Sequence, residues 1–159
     1  MKKIIFYLQF IRFHNLLIGC VAVFISAIIL DIQNMLVFLG AIQVFLIMGF
    51  ANTMNDILDF NNDSINHPKR VLVRKNINKK ESKIICILFL LFSCFCSYFL
   101  PTNNNLFIYL LIIPLIIFYN IFFKKIIFLG NLIVSFLLAA IFLYTELLLT
   151  DTINIFIIP

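Results

Sequence analysis

Charged residues are scarce in this chain of 159 residues, at 12% of the total, whereas 64% are hydrophobic. A typical soluble domain has about a quarter charged residues and about half apolar residues. Too little charge is present to cover a water-facing surface, which excludes a soluble domain. The apolar residues also form long blocks, and a block of about 17–25 apolar residues can cross a membrane as a helix. The composition therefore predicts an integral protein of the lipid bilayer.

The sequence has no Cys-x-x-Cys motif and no closely spaced pair of histidines. The four cysteines all lie inside apolar blocks: Cys20, Cys86, Cys94 and Cys96. Without the ligand spacing of a zinc or redox site, these residues are expected to pack as small hydrophobes.

The apolar blocks predict one all-α transmembrane domain over residues 1–159 with about five spans. The predicted spans are residues 10–30, 35–58, 84–100, 106–123 and 126–149, and residues 155–159 begin a further apolar segment. A polar loop, residues 59–83, separates the second span from the third. An alternating path through these spans places all 12 basic residues on one side. Because basic loops mark the cytoplasmic side, the N-terminus is predicted to be cytoplasmic in the cell (inner) membrane.

Polar residues cluster where the second span ends. Asn55, Asp59 and Asp63 are four residues apart, and Asn52 and Asp56 keep the same helical spacing. If the helix continues past the apolar block, all five share one face. Three carboxylates on one face repel one another, and a divalent cation would relieve the repulsion. Oxygen ligands of this kind suit Mg²⁺, which typically binds one or two carboxylates together with substrate phosphates.

This pattern also has a plainer explanation, a solvated helix end followed by a polar loop. The basic residues Arg70, Arg74 and Lys75 lie close by in the loop and could meet phosphate charge. Basic loops occur in membrane proteins of every function, however, so these residues alone do not require an anionic substrate. No nucleic-acid partner is expected.

The run NDILDFNNDSINHPKR, residues 55–70, resembles the first aspartate-rich motif of the UbiA prenyltransferases. That motif reads Asn-Asp-x-x-Asp-x-x-x-Asp, followed by Ile-Asn-x-Pro-x-Arg-Pro, and only the last Pro is replaced here, by Val71. The segment YLQFIRFHN, residues 7–15, resembles the N-terminal region of the same family. Tyr119, Lys124 and the run LGN at residues 129–131 resemble its segment between the fourth and fifth spans. The resemblance covers the whole chain in the right order.

The resemblance implies a truncated UbiA-like bundle that transfers a prenyl group from a prenyl diphosphate with the help of Mg²⁺. It implies that Asp59 and Asp63 are catalytic and that they bind the metal together with Asn55. It assigns diphosphate binding to a wider set: Arg12, Asn52, Asn55, Asp56, Arg70, Tyr119 and Lys124.

The acceptor and the completeness of the site are further expectations. Within the family, the opening segment resembles members that act on a lipid, geranylgeranylglycerol phosphate. Aromatic acceptors such as 4-hydroxybenzoate or a naphthoate are the alternative, and a non-enzymatic transporter or assembly subunit is a second one. Family members carry a second Asp-rich motif in a C-terminal half, which this sequence lacks. A missing C-terminal half is thus an expected partner, and the chain alone is expected to be inactive or nearly so.

The topology can be tested with reporter fusions. Because the basic residues fall on one side, a reporter after Lys80 should be cytoplasmic and one after Asn104 should be external. Alkaline phosphatase and green fluorescent protein fusions, which are active on opposite sides of the membrane, give the readout. A reversed result at either position contradicts the five-span path.

Overall fold

The computed structural model describes residues 2–152, and every regular element in this range is helical. Its α-helices are α1 (Lys2–Phe10), α2 (Phe13–Ile29), α3 (Leu36–Leu58), α4 (Phe60–Asn66), α5 (Lys79–Ser97), α6 (Thr102–Leu106), α7 (Ile113–Ile121) and α8 (Ile127–Thr150). A π-helical turn, Phe107–Ile112, joins α6 to α7 in one continuous helix, Thr102–Ile121. The predicted all-α fold is confirmed. The apolar segment 155–159 lies outside the described residues.

The first predicted span is interrupted. Helices α1 and α2 meet at an angle of 53°, and Arg12 between them has left-handed backbone angles, φ 56° and ψ 52°. A left-handed residue cannot continue a right-handed helix, so the chain turns there. The amide of Asn15 then donates to the Arg12 carbonyl at 2.8 Å and begins α2. The predicted span 10–30 thus corresponds mainly to α2, and α1 precedes it at an angle.

The predicted loop 59–83 is partly helical. It contains α4 and the first residues of α5, and only residues 67–78 between them are non-helical. Asn78 and Glu81 form a capping box that begins α5: the Glu81 amide donates to the Asn78 side chain at 2.7 Å, and the Asn78 amide donates to Glu81 at 3.1 Å. A capping box satisfies backbone donors that the first helical turn leaves open.

Fewer helices than predicted are long and apolar enough to cross a membrane. Within the described residues three qualify, Leu36–Leu58, Thr102–Ile121 and Phe128–Thr150, and the bent pair of α1 and α2 makes up to four. Helix α5, which corresponds to the third predicted span, does not qualify because its first turn carries Lys79, Lys80, Glu81 and Lys83. Five spans are therefore not all supported by length and composition.

Helix α3 is the centre of the bundle and contacts α2, α5, α7 and α8. Two glycines of α3 allow close approach: Gly40 lies against Leu148 of α8, and Gly49 lies against the ring of Phe89 of α5. Between helices in lipid, small residues of this kind let backbones pack closely and gain van der Waals contact. The packing fixes the direction in which the last turns of α3 point.

A separate apolar cluster stabilises the end of the bundle at which α3 meets α4. Phe10, Leu72 and Ile77 are 1–3% exposed and form its centre. We call these three residues the cap cluster. It ties the end of α1 to the non-helical segment 67–78.

The start of α6 and the end of α8 are joined by a hydrogen bond of 2.7 Å between Asn103 and Asp151.

Substitution of Gly49 tests the close packing of α3 on α5. In Gly49→Ala the added Cβ would lie 2.5 Å from Cε1 of Phe89, so the ring or the helices must shift. We expect a loss of about 1–3 kcal/mol in unfolding free energy, typical of overpacking. Thermal unfolding in detergent measures it. Gly130→Ala is the control, because its nearest neighbours would be at 3.4 Å, an ordinary contact. Equal losses in both variants would contradict this packing.

Candidate functional site

The polar residues at the end of α3 share one side because the helix almost continues into α4. The Asp59 amide donates to the Asn55 carbonyl at 2.9 Å, and the Asp63 amide donates to the Asp59 carbonyl at 2.8 Å. These bonds keep the helical spacing across the junction even though Asp59 itself departs from helical angles, with ψ 1°. The expected alignment of Asn55, Asp59 and Asp63 therefore does occur.

Asp56 is buried, with 7% of the residue exposed, and accepts two hydrogen bonds from arginines. Arg12 Nη2 donates to its Oδ1 atom at 2.6 Å, and Arg70 Nη1 donates to the same atom at 3.2 Å. Arg12 comes from the break between α1 and α2, whereas Arg70 comes from the non-helical segment 67–78. One carboxylate oxygen thus brings together two distant parts of the chain.

The other two carboxylates also contact basic side chains. Arg70 Nη1 donates to Oδ2 of Asp63, which is 5% exposed. Lys124, in the 3₁₀ turn before α8, donates to Oδ1 of Asp59 at 2.5 Å. The Asp59 side chain is 18% exposed, more than those of Asp56 and Asp63. We call these three carboxylates and their three basic partners the charge cluster.

The charge cluster changes the argument about repulsion. The sequence suggested that a divalent cation must relieve repulsion between the carboxylates, but in the structure Arg12, Arg70 and Lys124 already do so. Within residues 2–152 no group of three or more acidic, histidine or cysteine side chains could hold a metal ion by itself. A cation here would need ligands beyond these carboxylates.

The carboxylates of Asp59 and Asp63 fit Mg²⁺ when a phosphate supplies further ligands. Asp59 and Asp63 each use one carboxylate oxygen for a basic partner, and the second oxygen of each makes no hydrogen bond with the described part of the chain. Mg²⁺ keeps several waters and commonly binds through one or two carboxylates plus phosphate oxygens. Two carboxylates one turn apart provide that set, provided that a phosphate ligand completes it.

The remaining predicted site residues form no ion pair with the charge cluster within the described range. Asn52 donates from Nδ2 to the Ile11 carbonyl at 3.2 Å and so contacts the break before α2. Asn55 and Tyr119 are half-buried, and neither side chain forms a hydrogen bond with any described residue. Arg74 and Lys75 are exposed and form no ion pair within the described range. Of the basic residues in the loop, only Arg70 therefore joins the charge cluster.

An apolar cavity comes within one helical turn of this cluster, and the residues that line it could not be identified from the sequence. Its volume is about 150 Å³. It lies between α3, α8 and the continuous helix that contains α7. Asn52, one helical turn from Asp56, contributes to its wall, and the rest of the wall is almost entirely apolar, including Ile112, Val134 and Tyr144. Such residues carry no signal in a chain that is apolar throughout, so only packing could reveal the cavity.

The pairing of Arg70 predicts a specific loss of stability. Arg70→Gln leaves Asp63 without its cation and Asp56 with one cation fewer, and breaking buried pairs is costly. We expect a loss of about 2–3 kcal/mol, below the full range for buried pairs because Arg70 is partly exposed. Thermal unfolding in detergent is the measurement. Arg74→Gln, a charge change four residues away at an exposed position, should cost almost nothing. Equal effects would refute the pairing.

Comparison with known proteins bears on the family and the fold. The family model described as the UbiA prenyltransferase family matches residues 15–158. A digeranylgeranylglyceryl phosphate synthase from Methanosphaera stadtmanae is 31% identical over 146 residues, which cover 91% of this chain and 53% of that protein. A protein of the same name from Methanocaldococcus jannaschii is 32% identical over 157 residues, covering 91% and 52% respectively.

A solved structure gives the same result for the fold. It is described as giving structural and mechanistic insights into the biosynthesis of digeranylgeranylglyceryl phosphate synthase in membranes, and it matches with a TM-score of 0.84 and 27% identity. The match covers 92% of this chain and 53% of that one. The chain thus spans about half the length of the curated relatives it matches. Since the family model covers most of the sequence, the chain belongs to the UbiA prenyltransferase family.

Proposed function

We propose that this chain forms the diphosphate-binding half of a membrane prenyltransferase, which transfers a prenyl group from a prenyl diphosphate to a lipid acceptor. The observation that carries the proposal is the position of the charge cluster beside the apolar cavity, joined by Asn52. A prenyl diphosphate has the same two parts, an anionic head and an apolar tail. The site therefore matches the substrate class in having an ionic part next to an apolar part.

The basic side chains of the charge cluster would bind the diphosphate. Arg12, Arg70 and Lys124 converge on one face from three separate segments. Each arginine has five N–H donors, and few of them are used by the carboxylates, so donors remain for phosphate oxygens. Stabilising negative charge on the departing diphosphate is the main task in this reaction class. Tyr119 and Asn55, each half-buried, complete the proposed set.

Asp59 and Asp63 are the proposed ligands of Mg²⁺, with Asn55 beside them. When bound, the ion would supply positive charge that stabilises the leaving diphosphate. Asp59 is the more exposed of the two carboxylates and is paired with a lysine rather than an arginine. Lysine makes a flexible point contact, whereas arginine holds a fixed planar geometry, so the Asp59 pair is the easier one to rearrange.

The apolar cavity would hold the part of the prenyl tail that follows the diphosphate. Its wall is lined by aliphatic and aromatic side chains of α3, α7 and α8. Enclosure by such side chains keeps water away from the electrophilic carbon that forms when diphosphate leaves. An acceptor, rather than water, then attacks that carbon. The chain's own contribution is thus to bind, orient and exclude water.

The acceptor is proposed from the relatives. Their name, digeranylgeranylglyceryl phosphate synthase, describes a product with two geranylgeranyl groups on glyceryl phosphate. By similarity, the proposed acceptor is geranylgeranylglycerol phosphate, the lipid that the opening segment also predicted. No contact among the described residues favours an aromatic acceptor or a transport function.

Two further points belong to the proposal. Because the chain matches about half of each relative, we propose that activity requires a C-terminal half that supplies more ligands for the diphosphate. The distribution of basic residues supports a multi-pass location in the cell membrane, with the charge cluster at the cytoplasmic face.

The experiment is a chimaera of this chain with the C-terminal half of the Methanosphaera stadtmanae protein. Asp59→Asn and Asp63→Asn keep side-chain size but remove an anionic ligand. Each should lower prenyl transfer on the order of 10²–10³-fold, as expected for the loss of one electrostatic contact to the reacting charge. Transfer of radiolabelled geranylgeranyl diphosphate to the lipid acceptor is measured at saturating Mg²⁺.

Asn61→Ala and Asn62→Ala are the controls, because both side chains are exposed on α4. They should retain most of the activity. Membrane yield and thermal stability of every variant are compared, so that damage to the fold is not mistaken for loss of the site. Normal turnover in both aspartate variants, with the fold intact, would refute the proposed diphosphate site.

A further inference from the structure

Two side chains of α3, one helical turn apart, contact the break between α1 and α2 at Arg12. Asn52 Nδ2 donates to the carbonyl of Ile11 at 3.2 Å, and Asp56 Oδ1 accepts from Arg12 Nη2 at 2.6 Å. Arg12 itself has a left-handed backbone, with φ 56°, which residues other than glycine rarely adopt. Such a conformation persists when surrounding contacts impose it. Asn52 secures the backbone before the break, and Asp56 secures the side chain at the break.

Arg70 is brought to the same oxygen from the opposite side. The cap cluster contains Phe10, two residues before Arg12, and Leu72, two residues after Arg70. It therefore ties together the two segments that carry the arginines. Two guanidinium groups within hydrogen-bond distance of one oxygen repel each other, and Asp56 supplies the negative charge that offsets the repulsion.

The position of Asp56 differs from that of its neighbours. Its side chain is 10% exposed, and one of its oxygens is already engaged by two charged donors. The Asp59 side chain, by contrast, is 18% exposed and has a single partner. Mg²⁺ retains several waters in its coordination sphere and needs room for them. Exposure does not separate Asp56 from Asp63, whose side chain is 6% exposed. Among these carboxylates, however, Asp56 is the one whose Oδ1 accepts from two arginines, so that oxygen is the least available to an ion and the best placed to fix both arginines.

We propose that Asp56, together with Asn52, is a positioning residue that holds Arg12 and Arg70 side by side as a preformed pair for one diphosphate. In this arrangement Asp56 contacts neither the metal nor the diphosphate. The inference rests on the proposed function for the identity of the ligand. The local geometry that it describes, however, can be measured without any ligand.

The first experiment measures the break directly, by amide hydrogen exchange of the full chain in detergent. The Arg12 amide donates to Gln9 at 3.1 Å and the Asn15 amide donates to Arg12 at 2.8 Å, so both report on the break. In Asp56→Asn and in Asn52→Ala, exchange of these two amides should become roughly tenfold faster, as expected when one stabilising hydrogen bond is lost. Asn52→Ala leaves every charge in place and so separates a local effect from a general loss of fold.

Asp59→Asn is the matched control, since it removes the same charge three residues along the chain without touching the break. It should leave exchange at Arg12 and Asn15 unchanged. If Asp56→Asn also leaves exchange there at the wild-type rate, or if Asp59→Asn accelerates it equally, Asp56 does not hold the break and the proposal is overturned.

The second experiment measures binding of inorganic pyrophosphate to the same variants by titration calorimetry at a series of Mg²⁺ concentrations. Asp56→Asn should weaken pyrophosphate binding about tenfold through the misplaced arginines, with the Mg²⁺ concentration for half-maximal binding unchanged. Asp59→Asn should raise that Mg²⁺ concentration. If Asp56 only stabilised the fold, Asp56→Asn and Asp59→Asn would not differ in this way, one changing the affinity for pyrophosphate and the other the Mg²⁺ requirement.

The outcomes separate the two proposals. If Asp56→Asn raises the Mg²⁺ requirement as much as Asp59→Asn does, Asp56 is a metal ligand and the positioning role is wrong. If wild-type protein binds no pyrophosphate at any Mg²⁺ concentration, the proposed diphosphate site fails for this chain. The positioning role is then decided by the exchange of the Arg12 and Asn15 amides alone.

Discussion

Burial of three carboxylates at the end of an apolar bundle is the constraint on which the rest of the structure depends. A carboxylate withdrawn from water loses several kcal/mol of solvation, which is recovered only with an opposite charge and hydrogen bonds at contact distance. Asp56 and Asp63 are 7% and 5% exposed, so their basic partners must be held in place. Every segment that carries such a partner is therefore constrained as well, and the α3–α4 junction becomes the point around which those segments are arranged.

Each basic partner reaches the cluster through a departure from regular helix. Arg12 lies at a left-handed break, Arg70 on a non-helical segment anchored by Leu72, and Lys124 in a 3₁₀ turn between α7 and α8. Irregular backbone near a polar site is a common cost of function, because it points side chains in directions that regular elements do not allow. Close packing of α3 against its neighbours makes these departures tolerable.

The sequence predicted what depends on local pattern, and it missed what depends on packing. The helical bundle, the alignment of Asp59 with Asp63 and the family follow from apolar blocks and a long ordered motif. The segment around Arg12 contains no glycine or proline, so the local sequence does not predict the helix break there. The break depends on contacts of Asn52 and Asp56 of α3 with that turn. Helix α5 does not meet the length and composition of a membrane span, because its first residues are charged. The residues that line the cavity could not be identified, since its wall resembles every other apolar segment.

The charge cluster is balanced in formal charge. Its carboxylates and basic side chains are equal in number, so their formal charges cancel while the basic residues face inward. In the proposed function, an entering diphosphate would compete for those basic side chains, and a carboxylate released from its partner would then require a cation. Asp59, the most exposed of the three carboxylates, has a single lysine as its partner and can exchange that partner at less cost than Asp56, whose Oδ1 is held by two arginines. One part of the cluster is thus suited to rearrange around a substrate, and the other to remain fixed while it does.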